Sequence, residues 1–323
     1  MAKLLITGGC GFVGSHIVEH LLKETYWDIV IIDRLDFTSS LERLRDIDIW
    51  EEQKHRVKFI WWDLKSEIND FIIKQIEDVN YVWHLAASSH VDRSIIDPLS
   101  FVMDNVVGTC NILNFVRNSA KNIEKFFYMG TDESFGPASE NINFKEWDRY
   151  NSTNPYSASK SGAEELCLAF ANTYKLPIAI GHTMNIYGER QHPEKFIPII
   201  IKKVLAGEKL TIHDGSRYWI HARNVADALM FVNFEKDNRE KYNIVGEVEL
   251  SNLELAQKIA GILEKPLNYE LVEAVESRPG HDKRYSLDGS KMQELGWEHP
   301  KSFEESLEKT VKWIADKDNS RWL

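Results

Sequence analysis

The feature that most constrains the fold is a regular alternation of short apolar runs with segments of helical periodicity in the first half of the chain. Each apolar run has the length of one strand, and each helical segment is long enough to connect two parallel strands. Right-handed crossovers then predict an α/β fold with a doubly wound parallel sheet. The predicted strands are Lys3–Thr7, Asp28–Ile32, Val57–Trp61, Tyr81–Leu85, Lys125–Met129 and Ile178–Thr183, and the predicted helices are Val13–Glu24, Phe101–Ser119 and Ala158–Tyr174.

The alternation ends near Thr183, and the rest of the chain indicates a smaller lobe. With 323 residues the chain is too long for a single small core. We expect residues 1–183 to form the large domain and residues 184–323 a smaller α/β lobe that is partly interleaved with it. The helices predicted in this second part are Ile197–Ala206, Val225–Phe234, Leu253–Leu263 and Phe303–Ala315.

Composition excludes several classes of protein. The formal net charge of -11 argues against non-specific binding to nucleic acid or to acidic membranes. We expect no apolar run that could span a bilayer and, because a strand starts at Lys3, no signal peptide, which together predict a cytoplasmic protein. Cys10, Cys110 and Cys167 lack metal-ligand or disulfide spacing, so no metal site is expected.

A glycine-rich turn directly follows the first predicted strand. Gly8, Gly11 and Gly14 are spaced G-x-x-G-x-x-G, with Phe12 and Val13 between the last two. Gly8 allows the tight turn, Gly11 lets a pyrophosphate approach the backbone, and Gly14 lets helix and strand pack closely. Such a cluster alone also fits an ordinary strand–helix turn. Its position between a strand and a helix favours a dinucleotide site, with the phosphates at the helix N-terminus.

Asp33 ends the second strand, where a carboxylate accepts hydrogen bonds from ribose hydroxyls and repels a 2′-phosphate. This favours NAD over NADP, although the adjacent Arg34 could compensate. Asp63 fits an adenine contact and a simple turn residue equally well. Residues 1–183 are therefore predicted to be an NAD-binding Rossmann domain. Further cofactor-binding candidates are Leu64, Leu85, Ala86 and Ala87.

Tyr156 and Lys160 stand four residues apart at the start of a predicted helix, which places them on one face. A nearby ammonium favours the phenolate, so we expect the pKa of Tyr156 to be lowered. A phenolate can accept a proton from a sugar hydroxyl while hydride leaves the same carbon. The same spacing also occurs on solvated helix faces, and only its combination with the glycine turn makes it specific.

With these motifs the chain resembles the extended short-chain dehydrogenase/reductase family over essentially its whole length. Within that family it is most similar to the nucleoside-diphosphate-glucose 4,6-dehydratases, and especially to those acting on dTDP-glucose. The segment Thr131-Asp132-Glu133 after the fifth strand is the feature that distinguishes this subgroup. Further matching stretches are residues 86–94, 155–160, 194–198 and 278–282.

The resemblance implies a division of labour in the segment 131–133. Glu133 would be the base at C5 of the sugar, Asp132 the acid at the departing C6 hydroxyl, and Thr131 would hydrogen-bond the C4 oxygen. Adjacent carboxyls can share the work in this way if their environments separate their pKa values. The product would be a 4-keto-6-deoxyglucose nucleotide, an intermediate towards deoxysugars such as rhamnose. In isolation the two carboxyls also fit an ordinary acidic turn.

The resemblance also implies a binding site for the nucleotide sugar and, through a four-helix bundle, a homodimer. The chain departs from the subgroup in the base-binding segments, where His213 stands at an aromatic position and Val248 replaces an asparagine. We therefore expect UDP-glucose to be accepted as well as, or instead of, dTDP-glucose. The substrate-binding candidates are Ser89, His90, Val91, Asn185, Glu194, Lys195, Phe196, Ile197, His213, Arg217, Arg278 and His281.

Two other functions remain open. An epimerase or decarboxylase on the same scaffold would share Tyr156 and Lys160 but would usually lack the two carboxyls at 132 and 133. A dinucleotide-binding regulatory protein without catalysis would keep the glycine turn but tend to lose the tyrosine or the lysine.

Overall fold

The computed structural model describes residues 2–235, 239–273 and 283–323. Its largest element is a seven-stranded sheet in the order β10-β6-β5-β4-β1-β2-β3, and all of its strands run parallel. The predicted doubly wound sheet is therefore confirmed. The strands are β1 (Lys3–Thr7), β2 (Asp28–Asp33), β3 (Val57–Trp61), β4 (Tyr81–His84), β5 (Lys125–Met129), β6 (Ile178–Thr183), β7 (Ile186–Tyr187), β8 (Leu210–His213), β9 (Ser216–His221), β10 (Glu240–Ile244), β11 (Val248–Ser251) and β12 (Tyr269–Val272).

Helices cover both faces of this sheet, because successive side chains of each strand point to opposite faces and both faces are apolar. On β1, Leu4 and Ile6 belong to one buried cluster, while Leu5 belongs to the other. The helices are α1 (Phe12–Glu24), α2 (Glu42–Arg45), α3 (Trp50–Gln53), α4 (Asp70–Ile76), α5 (Val91–Ile96), α6 (Pro98–Phe101), α7 (Gly108–Asn118), α8 (Pro155–Tyr174), α9 (Phe196–Ala206), α10 (Ala222–Phe234), α11 (Asn252–Ile262), α12 (Ser290–Glu294) and α13 (Phe303–Ala315).

The second part of the chain builds a smaller lobe and also returns to the large sheet. The lobe has a core of its own beneath α9, α11 and α13, next to two small sheets ordered β11-β9-β7 and β12-β8. By contrast, α10 packs on α1, and β10 pairs with β6 from Glu240 opposite Ala179 to Ile244 opposite Thr183. The two parts of the chain are thus interleaved, and the cleft between them is lined from both.

The stretch Pro98–Asn118 corrects one expectation from the sequence. It comprises α6, a π-helical segment (Val102–Val107) and α7, and with 21 residues and a mean hydropathy of 1.3 it could cross a membrane by length and composition. Its apolar residues Ile112 and Leu113 are instead fully buried against the large sheet. We therefore assign it to the helical layer on that sheet.

Candidate active site

A cleft of about 980 Å³ lies at the carboxyl ends of the large sheet's strands, where doubly wound sheets bind their ligands. Its wall includes the glycine turn after β1, the ends of β2 and β4, the segment after β5, and the loop between β7 and α9. The volume is at the upper end of the range for small-molecule sites, so the cleft can hold an extended ligand. Polar and apolar groups both line it.

The glycine turn has no room for side chains at two of its positions. Gly8 has φ +74°, and a Cβ built there would lie 2.9 Å from the backbone of Ala86. A Cβ on Gly14 would collide with the carbonyl oxygen of Gly8. Gly11 immediately precedes α1 and leaves the N-terminus of that helix bare of side chain. This open cradle at a helix N-terminus fits the pyrophosphate of a dinucleotide.

Replacing Gly14 with alanine tests this packing. The added methyl group would collide with backbone atoms, so we expect a loss of about 1–3 kcal/mol in the free energy of unfolding and weaker dinucleotide binding. Thermal unfolding and NAD titration would measure both. The matched control is Gly261→Ala in α11, where a Cβ meets no atom within 4 Å and the higher helix propensity of alanine should stabilise the fold. Equal behaviour of the two variants would contradict the close packing.

The end of β2 favours NAD over NADP. The carboxylate of Asp33 accepts hydrogen bonds from the backbone N–H groups of Cys10 at 3.0 Å and Leu35 at 2.8 Å, which hold it at the cleft. Arg34 is not free to take a 2′-phosphate, because its guanidinium pairs with Asp104 at 2.6 Å. Asp63 lies 3.6 Å from the same guanidinium and also accepts from the N–H of the second residue after it. A phosphate here would meet several carboxylates.

Tyr156 and Lys160 lie side by side on α8, as predicted, but their electrostatics differ from the prediction. Lys160 Nζ donates to the carbonyl of Met129 at 2.6 Å and lies 4.3 Å from the ring centre of Tyr128. Burial, and next the charge of Glu133, raise the pKa of Tyr156 above its usual value. Burial lowers the pKa of Lys160 to about 8. The expected lowering of the tyrosine pKa is therefore wrong for the ligand-free protein.

Tyr156 is nevertheless placed for proton transfer, because its hydroxyl lies close enough to the side chain of Thr131 for that side chain to lower the pKa of Tyr156, against the effect of burial. This contact joins the start of α8 to the segment that follows β5. A sugar hydroxyl placed between the two side chains would reach both of them. The geometry therefore agrees with a proton acceptor at the tyrosine and a hydrogen-bonding threonine beside it.

The two carboxyls after β5 lie in different environments. Asp132 is buried, and burial together with the charge of Glu133 raises its pKa to about 7. Its Oδ1 accepts from Thr131 at 3.2 Å, whereas its Oδ2 is buried without a hydrogen-bond partner among the residues that the structure describes. Glu133 is half-buried and accepts from Asn154 Nδ2 at 3.0 Å. The raised pKa allows Asp132 to keep its proton to a higher pH than an ordinary aspartate.

The segment after β5 is shaped by local interactions. The hydroxyl of Thr131 caps a short 3₁₀ turn (Asp132–Phe135) by accepting from the N–H of Glu133. Asn154 caps α8 through a capping box with Ser157, and its side-chain amide also reaches Glu133. The asparagine was missed in the sequence, although an Asn-Pro pair before a helical segment is a recognisable helix start.

Most of the predicted site residues share the wall of this cleft. From the cofactor set these are Gly8, Gly11, Phe12, Val13, Gly14, Asp33, Asp63, Leu64, Leu85, Ala86 and Ala87. From the catalytic and substrate sets they are Thr131, Asp132, Glu133, Tyr156, Lys160, Ser89, His90, Asn185, Glu194, Lys195, Phe196 and Ile197.

Three predicted substrate residues lie away from that wall. Val91 is buried against Phe101 and Tyr156. His213 ends β8, which pairs with β12 in the smaller lobe. Arg217 donates to the carbonyl of Lys283, yet its charge still lowers the pKa of Asp132, so it lies close behind the site. The remaining two candidates, Arg278 and His281, lie outside the described residues.

A bridge across the mouth of the cleft was not foreseen. Arg93 of α5 donates to both carboxylate oxygens of Glu194, at 3.0 and 2.9 Å. The Arg93 guanidinium also lies 3.9 Å from the ring centre of Phe37, in the loop after β2. Three segments that are distant in sequence meet here, and no local pattern of residues could have revealed the contact.

The fold and the cleft together define a dinucleotide-binding enzyme of the doubly wound α/β class. The family model described as GDP-mannose 4,6 dehydratase matches residues 5–310, so the chain belongs to this family. It is 36% identical to the dTDP-glucose 4,6-dehydratase of Salmonella typhimurium, over 99% of this chain and 94% of the relative. The family resemblance seen in the sequence is confirmed.

Solved structures of enzymes with related activities have the same fold as this chain. The dTDP-glucose 4,6-dehydratase DesIV from Streptomyces venezuelae, with NAD bound, superimposes with a TM-score of 0.89 at 31% identity, covering 99% of this chain and 98% of that one. The UDP-glucose 4-epimerase of Thermus thermophilus, in complex with NAD, has a TM-score of 0.87 at 25% identity, covering 98% and 99%. The backbone fold is thus shared between dehydratases and epimerases, and the fold alone does not distinguish them.

Proposed function

We propose that this chain is a hydro-lyase that dehydrates a nucleoside-diphosphate glucose, dTDP- or UDP-glucose, to the 4-keto-6-deoxyglucose nucleotide. The observation that carries the proposal is the pair Asp132 and Glu133 beside Tyr156, with one carboxyl buried and its pKa raised and the other held by an amide. Elimination of water needs an acid and a base close together. The similarity to dTDP-glucose 4,6-dehydratases supports the same reaction.

NAD is the proposed cofactor, since the glycine cradle and the carboxylates at the end of β2 fit it. Bound NAD would supply a hydride acceptor for C4 and the hydride that is later returned to C6. The chain's own groups would hold it in place. Lys160 faces the cleft with an ammonium that can reach ribose hydroxyls, and Asp33 stands where the adenosine ribose would lie.

Five side chains take part, of which three transfer protons and two assist. Tyr156 accepts the proton of the C4 hydroxyl, and Thr131 hydrogen-bonds the same oxygen. Glu133 removes the C5 proton, which the new C4 ketone has made acidic, and returns a proton to C5 once C6 has received its hydride. Asp132 protonates the C6 hydroxyl so that it leaves as water. Lys160 holds positive charge next to the phenolate while the C4 proton is transferred. The net change is the loss of one water, and NAD is regenerated.

Product analysis tests this function. The protein would be incubated with NAD and UDP- or dTDP-glucose, and the products would be separated and weighed by mass spectrometry. A dehydratase gives a nucleotide sugar that has lost one water and carries a ketone. An epimerase is the alternative because the fold is also similar to the UDP-glucose 4-epimerase of Thermus thermophilus. An epimerase would give a product of unchanged mass. A regulatory protein without catalysis would leave the substrate intact.

The choice of nucleoside is a separate prediction. Uracil and thymine differ by one methyl group, which is worth about 1 kcal/mol in an apolar pocket. Val248 pairs with Trp219, which lines the cleft, and packs on the core of the smaller lobe, so the valine cannot donate or accept a hydrogen bond with the base as an amide could. We expect UDP-glucose to be accepted with a kcat/KM within about tenfold of that for dTDP-glucose. A strong preference for dTDP-glucose in the same assay would contradict this.

We also propose a cytoplasmic homodimer formed through a four-helix bundle. The buried face of the Pro98–Asn118 stretch lies on the sheet, but its outer side exposes Leu99 by 68% and Val102 by 42%. Tyr174 at the end of α8 is 40% exposed on the neighbouring helix. Sedimentation of the wild type should give a dimer and that of Val102→Asp a monomer. A monomeric wild type would contradict the assembly.

A further inference from the structure

A buried cluster of charged groups lies behind the catalytic centre. Glu164 of α8 is fully buried one turn beyond Lys160, and its carboxylate contacts His182 Nε2 at 3.0 Å and Lys241 Nζ at 3.0 Å. The hydroxyl of Tyr150 donates to the same carboxylate. Burial raises the pKa of Glu164, but its contacts with His182 and Lys241 outweigh burial and lower the pKa to about 2. A carboxylate and an ammonium are thus sealed together in the core.

Such a cluster is costly for stability alone. Replacing buried ion pairs by apolar side chains of similar volume is often neutral or stabilising, because desolvation cancels the Coulomb attraction. The position of the cluster indicates a role other than stability. The cluster touches the segment that carries the catalytic carboxyls.

The contact with that segment is close. A Cβ on Gly130 would lie 2.9 Å from His182 Cδ2 and 3.3 Å from Glu164 Oε2, so the backbone there rests directly on the pair. The preceding carbonyl, that of Met129, accepts from Lys160 Nζ. Immediately beyond the carboxyls, the Phe135 ring packs edge-on to His182 at 4.9 Å. The cluster therefore supports both ends of the segment 131–133.

We propose that Glu164 is a positioning residue for the catalytic centre: paired with His182 and Lys241, it holds the end of β5 in place and provides the negative charge that keeps Lys160 an ammonium. The inference rests on the proposed function only in assuming oxidation at C4 by NAD. Glu164 follows Lys160 by four residues on one helix face, the spacing at which opposite charges interact.

The other titratable groups around Lys160 are uncharged, so Glu164 is the group whose charge can stabilise its ammonium form. Burial raises the pKa values of Cys167 on the same helix and of Tyr128 on β5 well above their usual range, and it lowers that of His84 on β4 to about 3. These three neighbours are consequently uncharged at neutral pH. Burial lowers the pKa of Lys160 to about 8, and the thiolate of Cys167, if it formed, and then Glu164 would oppose that shift. Because the Cys167 thiol stays uncharged, the opposing charge comes from Glu164. Burial also raises the pKa of Tyr156, so that neighbour is uncharged too, and Glu164 is the ionised group among those whose charges act on Lys160.

The test uses a nucleotide sugar that lacks the C6 hydroxyl, such as UDP- or dTDP-6-deoxyglucose. This compound can be oxidised at C4 but cannot lose water, so the absorbance of NADH reports hydride transfer without any contribution from Asp132. Its rate is measured against pH after mixing with the holoenzyme. In the wild type the alkaline limb should fall near the pKa of Lys160.

Two variants should move that limb in opposite directions. Glu164→Gln removes the opposing negative charge, so the limb moves to lower pH by roughly one unit. Lys241→Met removes a positive charge and leaves the carboxylate paired with His182, so the limb moves to higher pH. The double variant, which removes both charges, should return close to the wild-type profile. Opposite shifts are not expected from lost stability, which lowers rates at every pH.

Glu165→Gln is the matched control, since this neighbouring carboxyl on α8 is exposed and its variant should keep the wild-type limb. If Glu164→Gln does not fold, Lys241→Met and the double variant decide the question. The proposal would be overturned if Glu164→Gln and Lys241→Met unfolded at lower temperature but kept the alkaline limb of the wild type. Failure of the wild type to dehydrate the glucose nucleotide would instead count against the proposed function. The assay with the 6-deoxy substrate would still test the role of Glu164, because it measures only hydride transfer from C4.

Discussion

Replacing Asp132 with asparagine should lower the rate of dehydration by roughly 10²–10⁴-fold, the usual contribution of a general acid. The side chain keeps its size and its contact with Thr131 but can no longer protonate the C6 hydroxyl. Oxidation at C4 does not need this proton, so NADH should still form with the 6-deoxy substrate. Measuring both reactions on one preparation separates loss of the acid from loss of the fold.

The pH profile provides a second check on Asp132. Its pKa is raised to about 7, and the acid must be protonated to act. Dehydration by the wild type should therefore decline as the pH rises through about 7, because deprotonation removes the active form. The asparagine variant should lack this limb. Glu140→Gln, which changes an exposed carboxyl a few residues further along, is the control and should retain full activity.

Glu133→Gln extends this experiment. Without the base at C5, the C4 ketone should form but the elimination should stop, so NADH accumulates even with the glucose nucleotide. A variant of either carboxyl that dehydrates at the wild-type rate would remove the basis of the proposed function. It would return the epimerase to consideration.

The second large effect is expected from Tyr156→Phe. Loss of the hydroxyl removes the proton acceptor at C4, so both NADH formation and dehydration should fall by roughly 10²–10⁴-fold. Binding of NAD should change little, because Lys160 and the glycine turn remain. Burial and the charge of Glu133 raise the pKa of Tyr156 and so disfavour its phenolate in the ligand-free protein. Bound NAD, with its positively charged ring, should favour the phenolate again.

Rapid-mixing absorbance measures the first step and product analysis the overall rate. The control is Tyr81→Phe, a buried tyrosine on β4 whose hydroxyl donates to Glu124 at 2.8 Å away from the cleft. That variant loses a hydrogen bond, so it should lose stability and keep its turnover. Unchanged turnover of Tyr156→Phe would contradict its role and would favour a regulatory protein that only binds NAD.

Much of the fold could be predicted because its determinants are local. The apolar runs of β1, β2 and β5 are bounded by turns and are too short for helices, and the glycine turn marks where β1 passes into α1. The membership in the family followed from the same motifs. Boundaries were nearly right, and the largest shifts are three residues: the helical stretch before α7 starts at Pro98, α8 at Pro155 through the cap formed by Asn154, and α10 at Ala222.

Charge and environment could not be predicted in the same way. The tyrosine pKa was expected to fall because Lys160 is four residues away, yet burial and Glu133 dominate. The helical stretch 98–118 proved long and apolar enough to resemble a membrane span, although the sheet covers its inner face. The roles of the individual site residues stay predictions until the variants are measured.

The sequence by itself determined the parallel sheet, the dinucleotide cradle and the four-residue spacing of Tyr156 and Lys160, because each depends on residues that are close along the chain. The tertiary structure decided that the pKa of Asp132 is raised, that Arg34 pairs with Asp104, and that Glu164 with Lys241 lies behind the catalytic segment. These properties depend on burial and on distances between strands far apart in sequence. Electrostatic energies follow those distances and the local solvent, which no linear pattern contains.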